Sequence, residues 1–149
     1  MWFSKKQSKP ASAGVAAPAE AAAAKQVTTK RRGDEAERLA RQHLERHGLR
    51  WVASNFKTPG RGGGEIDLIM VETDGTLVFV EVRQRSQRGF GGAAASVGMA
   101  KQHRIVLAAR HYLLRLAKVP PCRFDVLLID GDLHLGPDIT WLRAAFDAS

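Results

Sequence analysis

The sequence predicts an α/β domain whose mixed sheet has one helix ahead of it and a second, long helix before its last inner strand, in the order α-β-β-β-α-β. Three observations predict it. Gly64 to Arg83, GEIDLIMVETDGTLVFVEVR, reads as two strands rich in Ile, Val, Leu and Phe joined across a Thr73-Asp74-Gly75 turn. Thr29 to His47 and Ser96 to Lys118 repeat apolar residues at three-to-four spacing, the period of a helix packed on one face. Arg123 to Asp130, RFDVLLID, is a further apolar run of strand length following Pro120-Pro121.

The elements follow in chain order. Met1 to about Thr28 is Ala, Pro, Lys and Ser with almost no large apolar side chain after Phe3, too little to offset the entropy of ordering. Residues 1–28 are therefore read as a disordered basic tail, and residues 29–149 as the domain. The formal charge of +8 is unevenly placed: seven Lys/Arg and one acid lie in residues 1–32, and 16 Lys/Arg and 14 acids in the remainder. The tail is either a basic arm touching phosphates non-specifically or a solubilising extension.

In the first helix Ala36, Leu39, Ala40 and Leu44 form the apolar stripe, and Gly48 is placed to end it. Glu37 lies at the edge of that stripe. It is either a capping partner of Asp34 at the helix start or an acid aimed at a site. His43 and His47 lack a third zinc ligand and read as surface histidines. Leu49 to Ser54 is a first strand. Asn55 to Gly63 is a loop ending Gly60-Arg61-Gly62-Gly63, which either lets Arg61 and the backbone approach phosphate or is simply flexible.

The hairpin carries the chemistry. A two-residue turn would place Asp67 opposite Val82 and send the Asp67 and Glu81 side chains to opposite faces. A three-residue loop, with Gly75 in its left-handed third position, pairs Glu72 with Thr76 and sets Asp67 opposite Glu81. This is the predicted register. Directly opposed residues hold their β-carbons about 4.5 to 5.5 Å apart, close enough for two carboxylates to share one hard cation such as Mg2+. The alternative is a solvated face with Glu81 paired to Arg83 or another base, but the apolar residues around it argue otherwise.

After Arg83 comes a basic, glycine-rich connection, Gln84 to Gly92. Arg85 shares a face with Arg83, so both can meet a phosphate backbone, and Arg88 adds a further charge. Phe90 either stacks on a base or anchors the loop. The second helix buries Ile105, Ala108, Ala109, Tyr112 and Leu116, with Lys101 one turn earlier, able to reach past the sheet edge to a phosphate. Leu133 to Leu135 and Ile139 to Leu142 read as short strands, while Trp141 to Phe146 fits either strand or helix. A single cysteine, Cys122, excludes an intramolecular disulfide framework and a Cys-rich zinc site. No apolar run reaches the roughly 18 residues of a membrane span, and the first thirty residues lack a signal peptide's apolar core. A cytoplasmic location is expected.

An acid on the first helix, Asp67 on the second strand and Glu81-Val82-Arg83 on the third follow the order of the restriction-endonuclease-like nucleases, whose pattern is Asp followed by Glu-x-Lys. More closely, the chain resembles the YraN-like family of small bacterial proteins within that superfamily. The resemblance rests on Gly33-x-x-Ala36-Glu37-x-x-Ala40, Gly64-Glu65-Ile66-Asp67-Leu68-Ile69, Phe79-Val80-Glu81-Val82-Arg83-x-Arg85, Phe90-Gly91, Lys101-Gln102 and Arg123-Phe124-Asp125-Val126. It implies a restriction-endonuclease-like fold and a site of Asp67, Glu81 and Arg83 with Glu37 as the helix-borne acid. Asp67, Glu81 and Glu37 would hold Mg2+ or Mn2+. By similarity to archaeal junction resolvases, it further suggests branched or single-strand-containing DNA as partner. Many junction-cutting enzymes work as two-fold dimers, which makes a homodimer one candidate assembly, although the sequence shows no self-complementary surface.

Arg83 departs from the pattern, because arginine keeps its charge and cannot replace a compact ammonium. Two other functions therefore stand beside a nuclease. One is a DNA-binding or partner-recruiting module of the same fold, the other a protein-interaction domain without nucleic-acid affinity.

Overall fold

The computed structural model describes residues 14, 17–85 and 97–149. Its elements are α1 (Pro18–Arg46), β1 (Arg50–Lys57), β2 (Glu65–Val71), β3 (Leu77–Arg85), α2 (Met99–Leu113), β4 (Cys122–Asp130) and β5 (Asp138–Phe146). The described residues divide into two units, one ending at Arg31 and the other beginning at Arg32. In the first, residues 18–28 are helical and exposed, not the unstructured tail expected there. The run AEAAAAK explains the difference: alanine supplies intrinsic helix propensity even where there is nothing to bury.

In the second unit β1-β2-β3-β4-β5 form one sheet in sequence order. All pairs are antiparallel except β3 and β4, which run parallel and are joined through α2. One face of the sheet packs Ile69, Phe79, Phe124, Val126 and Leu128 against Ile105, Val106, Ala108 and Ala109 of α2. The other packs Leu68, Met70, Val78, Val80, Leu127 and Ile129 against Ala36, Ala40 and Leu44 of α1. Strands covered on both faces need apolar residues at every position, which is why LVFV and VLLI are unbroken. The architecture is consistent with the restriction-endonuclease-like class, with one strand more at its far edge.

That extra strand corrects the reading of the C-terminal region. Residues 133–135 form a turn, and Trp141 to Phe146 is strand, not helix. Pairing with the open edge of β4 overrides the helical leaning of Ala144-Ala145. The bulge this requires falls opposite Phe124 and Val126, with Ala144 at φ 48°. β1 likewise runs to Lys57, absorbing residues expected in a loop, with a register shift between Trp51 and Ala53 and Asn55 at φ 53°. α2 ends at Leu113, short of the expected Lys118.

The hairpin has the predicted register. Val71 pairs Leu77, Met70 pairs Val78, Ile69 pairs Phe79 and Leu68 pairs Val80. Glu72 N–H donates to the Thr76 carbonyl at 2.9 Å, and Gly75 takes the left-handed position at φ +91°. Among the described residues, no helix is long and apolar enough to cross a membrane.

Candidate metal centre at the end of the hairpin

The β2–β3 ladder stops at Leu68 and Val80, and Asp67 takes over where the backbone pairing ends. Its Oδ2 accepts the Val82 N–H at 2.8 Å, so the carboxylate does the work of a strand carbonyl and is fixed in orientation. Glu81, the next residue on β3, is 7% exposed. Its Oε1 lies 3.3 Å from Lys101 Nζ, at the start of α2. Its Oε2 is buried with no hydrogen-bond partner among the described residues. Burial, then the Glu81 charge and a hydrogen bond between the two carboxyls that needs a proton on one of them, push the Asp67 carboxyl up to about 7; the Val82 N–H and Lys101 pull the other way without prevailing.

A buried carboxylate oxygen without a donor costs free energy unless a proton or a cation meets it. Two adjoining carboxylates, one with such an oxygen, suit a hard divalent cation. Mg2+ characteristically takes one or two carboxylates and fills its remaining positions with water and phosphate oxygens. The donor set therefore fits Mg2+ or Mn2+ as a partial shell. Among the described residues no group of three or more His, Cys, Asp or Glu could hold a metal ion together, so Glu37 does not complete a three-acid cage with the pair.

Glu37 sits on α1 with its Oε2 accepting from Asn55 Nδ2 at 2.9 Å. Burial raises its carboxyl above the ordinary value, Asn55 offsets part of this, and the charge of Asp67 raises it again. Asp34 and Glu37 lie well inside α1, so the capping alternative is excluded. The Asp67 charge reaches Glu37, so the two carboxyls are electrostatically linked although no hydrogen bond joins them. Asn55, which aims Glu37, belongs to a stretch that reads as loop in the sequence.

The basic residues divide. Arg83 is two positions beyond Glu81 on β3 and half-buried. Arg85, expected to meet phosphate, is clasped by Asp130 instead: Nε to Oδ1 at 2.6 Å and Nη2 to Oδ2 at 2.8 Å, across the parallel pair Arg85 and Asp130. That fork ties the ends of β3 and β4 together. Arg61 is exposed in a loop that is closed, not loose: Thr58 N–H donates to the Gly64 carbonyl at 3.0 Å and Gly64 N–H to Thr58 Oγ1 at 2.8 Å. A Cβ on Gly64 would run into the Arg104 carbonyl, so the start of β2 lies flush against α2 and only glycine fits. Arg88 and Phe90 lie outside the described residues.

One polar cluster escapes the reading of the sequence. Asp125 is fully buried in β4 and accepts from Arg123 Nε at 3.0 and 3.1 Å, Trp141 Nε1 at 2.9 Å and Ala144 N–H at 2.9 Å. Arg123 reaches on to Glu72 at 2.5 Å. The signal that could have found it is an acid in an otherwise apolar strand, the same signal that singles out Asp67. Every direction around Asp125 is occupied, which makes it a clamp on β5 and not a ligand.

The family model described as "Uncharacterised protein family UPF0102" matches residues 36–129 of this chain. A UPF0102 protein of Polaromonas naphthalenivorans (strain CJ2) is 60% identical, covering 100% of both chains. One from Polaromonas sp. (strain JS666 / ATCC BAA-500) is 58% identical, again over 100% of both. A UPF0102 protein of Cupriavidus taiwanensis is 60% identical over 78% of this chain and 83% of its own. The chain belongs to this family.

Proposed function

We propose that this member of the UPF0102 family is a nucleic-acid phosphodiester hydrolase that works with Mg2+ or Mn2+ held by Asp67 and Glu81. The observation that carries the reading is the orphaned, buried Glu81 Oε2 next to a carboxyl raised by burial and by Glu81 itself. The restriction-endonuclease-like element order supports it.

A divalent cation there would supply Lewis-acid polarisation of a phosphate oxygen and a more acidic bound water. The chain's own residues would do the rest. The Val82 N–H holds Asp67 to one rotamer, Asn55 orients Glu37 behind it, and Arg83 or Lys101 meets the charge that develops on the phosphoryl oxygens. Branched DNA is the substrate class we propose.

The test is incubation of four-way, flapped and linear DNA with the protein and Mg2+ or Mn2+. Strand scission is expected with the wild type, reduced about a hundredfold or more in Glu81→Gln. Scission that survives Glu81→Gln unchanged would remove the centre from the reaction. Arg83 favours a second reading, a binding module of the same fold. It predicts salt-sensitive DNA binding without scission, and a gain of scission in Arg83→Lys.

A further inference from the structure

The charge of the folded body is concentrated on α2 and the turn after it. Residues 33–149 hold 16 Lys/Arg and 14 Asp/Glu. Five of those bases, Lys101, Arg104, Arg110, Arg115 and Lys118, and none of the acids lie in residues 99–118, leaving 11 bases against 14 acids elsewhere. α2 buries Ile105, Val106, Ala108 and Ala109 on the sheet. Helical geometry then turns His103, Arg104, Leu107, Arg110 and His111 outward within an arc of about 120°. All five are exposed. Arg104 and Arg110 pair with no acid among the described residues, in contrast to Arg85 and Arg123. The face is held in place by the close approach of Gly64 to the Arg104 carbonyl, and it begins one turn after Lys101, whose ammonium reaches Glu81.

We propose that this outward face of α2, centred on Arg104 and Arg110, is the surface on which the phosphate backbone of duplex nucleic acid docks. The inference rests on the functional reading above only for its choice of nucleic acid as partner and needs no chemistry at Glu81. A polyanion matches a row of unpaired cations free of acids. A second copy does not: a two-fold contact would set the same arginines against each other. A bilayer fits poorly, because the helix has already spent its continuous apolar face on the sheet and, among the described residues, shows outward only Met99, Leu107 and, just past its end, Leu114, spaced apart by Arg104 and Arg110. The face also supplies what Arg85 cannot, since that guanidinium is committed to Asp130.

The experiment measures binding of the full chain to duplex DNA by fluorescence anisotropy across a salt series in EDTA, so that no cutting intervenes. Arg104→Gln/Arg110→Gln is expected to lower the slope of log K against log salt by nearly two units, at roughly 0.9 for each phosphate that is no longer neutralised. Arg104→Lys/Arg110→Lys should keep it. Arg143→Gln, which removes one charge on β5 where Arg143 lies over the Trp141 ring at 4.0 Å, should leave it unchanged. An unchanged slope in the Gln double variant overturns the proposal, as does an equal loss per charge in Arg143→Gln. Tighter wild-type binding to phosphatidylserine vesicles than to DNA, or a wild-type dimer that the Gln variant dissociates by sedimentation, overturns it in favour of another occupant. Parallel reactions with Mg2+ separate the two ideas. The expected slopes without scission would sink the hydrolase and leave the surface, whereas scission with an unchanged slope would do the reverse.

Discussion

Asp67 and Asp125 are both carboxylates planted in apolar strands of one sheet, and their surroundings are opposite. Asp125 receives donors from Arg123, Trp141 and Ala144, and its charge is answered on the spot. Asp67 has one backbone donor and faces another acid, Glu81, whose second oxygen has none among the described residues. The same sequence signal thus marks a finished network at one place and an unfinished one at the other. A buried acid that is fully answered stabilises the fold, while one left short of partners is held at the expense of stability, which is the common mark of a ligand-binding group.

The comparison breaks most visibly at Asp125. Asp125→Ala would strand the Arg123 guanidinium, the Trp141 N–H and the Ala144 N–H together, and β5 would lose the group that fixes its bulge. A loss of about 3 to 5 kcal/mol in unfolding free energy is expected from chemical denaturation. A loss below about 1 kcal/mol would mean the network is ornamental.

Asp67→Asn should move stability the other way. Asparagine can still accept the Val82 N–H but brings no charge beside Glu81. Because the folded-state carboxyl is raised to about 7 from an ordinary 3.8, the native state holds the extra proton between those values. Its stabilising effect is full below pH 4 and lost as pH rises through 7. Wild-type stability should therefore fall across that window, and Asp67→Asn should flatten the fall and gain on the order of 2 kcal/mol at pH 7.5. Mg2+ should restore part of the difference to the wild type only. Denaturant midpoints from pH 4 to 8 decide this, and a pH profile identical in the two proteins would show that Asp67 is not strained.

These contrasts show what can be read along the chain. The register of the hairpin is legible because one glycine, Gly75, fixes the turn and strand parity does the rest. The roles of Arg85 and Asp125 are not, because their partners come from elsewhere. Asp130 meets Arg85 only through the parallel register that the α2 crossover sets, 45 residues away. Trp141 and Ala144 meet Asp125 only if residues 141–146 are strand, which their alanines obscure. Glu37 is ambiguous in the sequence because the apolar stripe starts the helix near Thr29; once the helix begins at Pro18, Asp34 can no longer be a cap. Local rules reach what one turn or one face decides and stop where two distant strands decide together.

Lys101 joins the two halves of the comparison, since it brings a cation to the unfinished pair and does so from α2, not from the strand. Its ammonium is half-exposed, so the contact with Glu81 contributes little to stability, under about 1 kcal/mol. Its larger effect is on what else can approach Glu81, because an ammonium 3.3 Å from Oε1 occupies a direction a divalent cation would use and repels its charge. Lys101→Ala should therefore bind Mn2+ a few-fold more tightly, read by electron paramagnetic resonance titration, while DNA scission falls for want of a compact cation at the phosphate. Lys101→Arg should keep the weaker Mn2+ binding, because its charge remains near the site. A lysine serving only to fasten α2 to the sheet would lower both Mn2+ affinity and scission when removed, and that parallel loss would count against an ammonium that shares Glu81 with the metal.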